Sequence, residues 1–126
     1  MVSGAKLVAM PGSTSGLFLR DDAFPRLGLT GLVNARLTPR SAEAAALVPS
    51  GEADIGLQPV SEIVHAPGVE VAGVIADEIQ LHQVFAAAAV ANTGQMSVAL
   101  KLIDFLRSAR AAPTIEKAGM VTLNRP

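Results

Sequence analysis

The strongest constraint on this chain is the rhythm of its apolar runs. Short extended-type stretches alternate with helix-period stretches, and Pro, Gly or Ser clusters separate almost every pair. Lys6-Leu7-Val8-Ala9-Met10 reads as a strand stopped by Pro11-Gly12, and residues 17–27 as a helix disturbed by Pro25 and ended by Gly28. Residues 35–38 form the next strand, stopped by Pro39. Ser41 then caps a helix over 42–48, which Pro49-Ser50-Gly51 closes. A buried-type strand is expected over 53–58, a short helix from Ser61 to near His65, and a strand over 69–75 with Gly73 inside it. Residues 81–91 give a long apolar strand. Asn92 and Gln95, at capping-box spacing, open a helix with Met96, Ala99, Leu100, Ile103 and Leu106 on one face. A last helix over 113–118 stops at Gly119. This alternation predicts an α/β fold, a mostly parallel central sheet flanked by helices.

At 126 residues the chain fits one domain with a real core. Residues 1–121 are read as that domain and 122–126 as a disordered tail. Half of the residues are hydrophobic and 17% are charged, which favours folding. Four Phe with no Trp or Tyr disfavour stacking on bases or sugars, and a net charge of −1 gives no reason to expect nucleic acid. The charge is segmented, however. Residues 41–80 hold seven acids and no Lys or Arg, between two blocks of net +3. Solvated faces explain such segments most simply; basic ends clasping an acidic middle is the other reading.

No cysteine is present, so disulfides and thiolate chemistry are out. His65 and His82 have no metal-ligand spacing around them, and no glycine pattern marks a nucleotide loop. Neither a metal nor a cofactor is expected. The first residues do not read as a signal peptide, and the longest apolar run, 84–91, is too short to insert in a membrane. As given, the chain reads as cytoplasmic.

Several segments in order resemble a known family. Gly51-Glu52-Ala53-Asp54-Ile55-Gly56-Leu57-Gln58, then Val60-Ser61-Glu62-Ile63, then Pro67-Gly68-Val69-Glu70-Val71-Ala72-Gly73 are similar to the second lobe of molybdate-binding-like extracellular solute-binding proteins. Ile103-Asp104-Phe105-Leu106-Arg107-Ser108 and Lys117-Ala118-Gly119-Met120 resemble the closing helices of that family, and Pro11 to Gly16 its lobe-two loop. The resemblance implies one lobe of a type II periplasmic-binding-protein fold, with a hinge strand at 81–91, return helices over 95–119 and the first lobe absent. The family is exported and serves ABC-type uptake. An apolar return strand and a helix over 95–108 without their usual cover imply a homodimer.

Ser13, Thr14, Ser15 and Gly16 open a helix, where free amides, hydroxyls and the dipole make an anion site without formal charge. Ordinary capping needs only one such hydroxyl. The resemblance implies the larger role, since the family donates to an oxyanion from this loop. Gln58 ends a strand, where ligands of such sheets bind. Relatives have a valine-tyrosine pair where this chain has Gln58-Pro59, which leaves a molybdate-type oxyanion or a small organic acid as ligand. Ser61 reads as a plain cap or a further donor. Glu52 and Asp54 share a strand face; an ion pair to Arg36 or Arg40 is commoner there than acid–base work. The sequence thus predicts an anion-binding module rather than an enzyme. The alternatives are an assembly protein keeping the fold, and a small isomerase using Asp54 or Glu52 as base.

Overall fold

The computed structural model describes residues 4–123 and divides the chain into two units, Met1–Leu81 and His82–Pro126. The first is built on a three-stranded parallel sheet of order β2-β1-β3, with β1 Val8–Pro11, β2 Ala35–Thr38 and β3 Ile55–Gly56. Val8 pairs with Ala35 on one side and Ile55 on the other, so β1 is central and buried along its whole length. Side chains alternate across a strand. Val8 and Met10 join Leu19, Ala23 and Phe24 on one face. Leu7 and Ala9 join Ala44 and Ala53 on the other. The α/β class expected from the apolar rhythm is the class observed.

The first helical stretch leaves β1 almost at once. α1 (Thr14–Phe18) runs through a π-helical turn, Leu19–Ala23, into α2 (Phe24–Arg26). Its start is three residues earlier than the apolar pattern suggests, because Gly12 donates to the Thr38 carbonyl at 2.7 Å and turns the chain directly off the sheet. Pro25 has no N–H to offer, and the turn ahead of it widens to π geometry rather than breaking. Gly28, at φ 67°, ends the stretch as expected: Leu29 N donates to Phe24 O and Gly28 N to Pro25 O, the paired bonds of a Schellman stop.

α3 (Ser41–Ala46) and α4 (Val60–Ile63) follow β2 and β3. Neither serine caps as expected. Arg40 and Pro59 occupy the cap positions and neither helix has a side-chain cap bond. The Arg40 carbonyl takes the amides of Glu43 and Ala44 instead. The strand expected over 53–58 shortens to β3, although Asp54 N to Leu7 O and Leu57 N to Ala9 O carry its ladder one residue beyond each end.

Residues 69–75 form no strand. Gly73 sits at φ 155°, which breaks the extended run, and a 3-10 turn, Asp77–Ile79, follows. Residues 81–91 are likewise not a strand. A ladder needs a neighbour, and none of the described residues pairs with them. Their apolar side chains, Val84, Phe85 and Val90 among them, are exposed.

In the second unit α5 (Met96–Leu106) and α6 (Ala112–Lys117) appear where periodicity puts them. Met96, Ala99 and Ile103 form the half-buried line of α5, while Leu100 and Leu106 of the expected stripe are exposed. The Asn92–Gln95 capping box does not form, because Thr93 Oγ1 accepts from Gln95 N. Gly119, at φ 76°, ends α6 with a second Schellman stop, Met120 N to Ile115 O and Gly119 N to Glu116 O. Of the expected tail, Thr122 and Leu123 have no regular structure and 124–126 lie outside the described residues.

Candidate functional site

All three strands run the same way, so the turns leaving Pro11, Thr38 and Gly56 gather at one edge of the sheet. Ligands of parallel sheets bind beyond this carboxyl edge. The turn after β1 supplies Ser13, Thr14, Ser15 and Gly16, the turn after β2 supplies Arg40 and Ser41, and the turn after β3 supplies Gln58.

The first turn is a group of donors held in one place. The amides of Ser13, Thr14, Ser15 and Gly16 have no partner among the described residues. Ser13 and Thr14 are exposed and Gly16 is buried. Ser13 Oγ lies 3.5 Å from Ser15 Oγ, so one hydroxyl donates to the other and the second keeps its own proton to donate; Ser13 caps no amide. Glycine at 16 is a steric requirement. A Cβ there would stand 1.8 Å from the Pro11 carbonyl oxygen and 3.2 Å from Leu37 Cδ2. The helix start is therefore pressed against the end of β1. Unpartnered amides at a helix start attract anions, and this stretch continues in αR geometry to Arg26.

Gln58 reaches the same edge, but its carboxamide is turned to α3. Nε2 donates to Ser41 O at 2.8 Å; because that oxygen only accepts, the amide orientation is fixed. Oε1 is buried without a partner among the described residues, close to the space that Gly56 leaves empty. Gln58 thus ties the turn after β3 to the start of α3. Ser61 is not gathered with the others. It lines a groove of about 460 Å³ between α3 and α4, together with Glu62 and His65. A second cavity, of about 330 Å³, lies under Phe24 and the loop at Thr30 and Gly31.

The turn after β2 was missed in the sequence, although its signal is there: Thr38-Pro39-Arg40-Ser41 repeats the strand, proline and hydroxyl order of Met10-Pro11-Gly12-Ser13. Buried Thr38 donates from Oγ1 to Arg40 O at 2.8 Å and shapes the turn. Arg40, in the turn after β2, is an exposed guanidinium paired with Glu43 at 2.8 Å.

The two carboxylates offered as candidate bases are elsewhere. Asp54 precedes β3 and accepts the Lys6 amide, at the amino edge. Glu52 pairs with Arg36 at 3.1 Å, the ion pair expected for it. No group of three or more His, Asp or Glu residues suited to a metal occurs among the described residues. No helix among them is long and apolar enough to cross a membrane.

Residues 6–121 match the family model of bacterial extracellular solute-binding proteins, nearly the whole chain. The chain belongs to that family. This agrees with the resemblance read from Gly51 to Gly73, without the molybdate part of it. The solute-binding chain is also 34% identical over 118 residues to a Pseudomonas sp protein named aconitate isomerase, covering 92% of this chain and 45% of that relative. The chain thus spans less than half the length of this relative. No solved structure matches it. The isomerase relative corrects the expectation of a module without catalysis: a solute-binding chain so similar to a named enzyme points toward enzyme chemistry.

Proposed function

We propose that this chain forms the carboxylate-holding part of an isomerase acting on aconitate or a similar small polycarboxylate. The observation that carries the proposal is the row of unpartnered amides at Ser13–Gly16, fixed at the carboxyl edge by the contact of Gly16 with Pro11. Amide and hydroxyl donors form short, charge-assisted bonds to a carboxylate. Arg40, on the neighbouring turn, is paired with Glu43, so the donors of the site are neutral amides and hydroxyls. The similarity to aconitate isomerase favours an organic acid over an inorganic oxyanion.

In an isomerisation that moves a proton from a carbon next to a carboxylate to another carbon, a base other than these donors takes the proton, negative charge grows on the carboxylate oxygens, and the proton is then returned. Fixed amides aimed there stabilise the charge as it develops, with no reorganisation to make. Ser13, Thr14, Ser15 and Gly16 have this role in the proposal, and Gln58 positions α3 beside them. Glu52 and Asp54 have no part in it, being engaged with Arg36 and Lys6.

The test is a thermal-shift panel of aconitate, its saturated analogue tricarballylate, molybdate, sulfate and phosphate, followed by proton NMR of aconitate with the protein. A ligand at a hundredfold over its Kd stabilises by about 2.7 kcal/mol. Stabilisation by the tricarboxylates and interconversion of aconitate isomers are the expected results. A flat panel rejects the carboxylate site, and binding without interconversion rejects the isomerase.

A further inference from the structure

The groove between α3 and α4 has no part in the chemistry above, yet it has the composition of a binding site. Its volume of about 460 Å³ falls in the range of small-molecule pockets. On the α3 side Ala42 and Ala46, one helical turn apart, give an apolar wall with no side-chain atom beyond Cβ. Pro49 closes one end, where a side chain at Gly68 would meet its Cβ at 2.9 Å. On the α4 side Ser61, Glu62 and His65 bring a hydroxyl, a carboxylate and an imidazole to the rim.

Charge identifies the occupant. The groove is made entirely from the acidic block, residues 41–80, which holds no Lys or Arg. Within that block Glu43 and Glu52 are neutralised by Arg40 and Arg36, whereas Glu62 has no ion-pair partner among the described residues. We infer that the α3–α4 groove is a binding site for a small organic ammonium ion, its alkyl part on the alanine wall and its charge beside the Glu62 carboxylate. Removal of apolar surface from water drives the first contact, and the carboxylate selects the charge.

The experiment titrates the whole chain with n-butylammonium, n-butanol and n-butyrate, following the backbone amides of α3 and α4 in proton–nitrogen NMR spectra. The expected result is saturable shifts in both helices. n-Butylammonium should bind about two- to fivefold more tightly than n-butanol, the range for a solvent-exposed charge pair, and n-butyrate weakest. In Glu62→Gln the ammonium preference should vanish, while Glu70→Gln, which removes an acid outside the groove, should retain it. Ala46→Leu, which keeps a strong helix former and whose spectrum also reports its fold, should abolish binding of both compounds. Equal affinity for butanol and butylammonium, a preference that survives in Glu62→Gln, or shifts that never saturate would each overturn the assignment.

Discussion

Gly16→Ala tests the geometry on which the carboxyl-edge site rests. The added Cβ would lie 1.8 Å from Pro11 O and 2.9 Å from Pro11 C, both backbone atoms of β1. To restore about 3.0 Å the start of α1 must move by roughly 1.2 Å, since β1 is buried, paired on both sides and unable to yield. Overpacking of this kind costs about 1–3 kcal/mol, and a clash with main chain belongs at the upper end. A loss of about 3 kcal/mol in a unit of this size lowers Tm by roughly 12 °C or more. The same displacement carries the amides of Thr14, Ser15 and Gly16 off their aim, so aconitate binding should weaken at least about tenfold. Urea unfolding followed by circular dichroism measures the first effect, as a midpoint shift at unchanged slope. Calorimetric titration well below the new Tm measures the second. Gly94→Ala is the control: nothing lies within 4 Å of its Cβ position, and its cost should stay within about 0.5 kcal/mol. A Gly16→Ala protein as stable as that control would refute the steric reasoning. One that is destabilised yet binds aconitate unchanged would refute the anion site.

At Gln58, substitution by Leu should cost under about 1 kcal/mol, because the bond to Ser41 O and the orphaned Oε1 disappear together; Gln58→Glu, with a carboxylate facing Ser41 O, should cost more. Denaturant midpoints decide the order. Gly28→Ala should destabilise by about 1–2 kcal/mol, the penalty for a Cβ at φ 67°; a change within error would contradict the Schellman stop. The hydrogen bond from Arg20 holds the Asp21 carboxyl below the ordinary carboxylate value. Its contribution is therefore present above the unfolded-state pKa and is lost as pH falls through the depressed folded value. In a carbon-detected NMR titration Arg20→Gln should bring Asp21 back toward that ordinary value, and an unmoved midpoint would reject the pairing.

The parts of the fold legible in the sequence are those decided locally. β1 is an apolar run and β2 a short stretch ending in Leu37-Thr38, each with a Pro at the exit, and Gly28 and Gly119 each mark a left-handed stop that any Cβ would strain. Residues 69–75 failed as a strand at Gly73, whose φ of 155° breaks the run, and residues 81–91 for want of a partner strand. Apolar character shows that a segment gains by burial, but strand formation needs a neighbour to take its amides, and sequence does not supply one. Helix starts shifted by a residue or more because backbone carbonyls, such as that of Arg40, took the amides that serine hydroxyls were expected to take. At the site, the hydroxyl run at 13–15 was readable from its place after a strand. The direction of Gln58 was not, since its carboxamide folds into room left by Gly56, two residues back.

Asp54 separates the proposed site from its rival most sharply, because the isomerase reading of the sequence offered it as a base. The structure gives it another role. Its carboxylate accepts the Lys6 amide across 48 residues of chain and ties the turn before β3 to the entry of β1. A charge-assisted bond is about twice as strong as a neutral one, and Asn keeps an acceptor oxygen. Asp54→Asn should therefore lose about 1 kcal/mol of stability and leave aconitate interconversion intact wherever the protein is folded. Asp54→Ala, with no acceptor, should lose about 2 kcal/mol, again without a selective effect on turnover. Unfolding midpoints and initial rates measured on the same preparations distinguish the outcomes. Turnover abolished in an Asp54→Asn protein of parental stability would put the reacting carbon at the amino edge of the sheet. The donors from Ser13 to Gly16 would then face away from the chemistry.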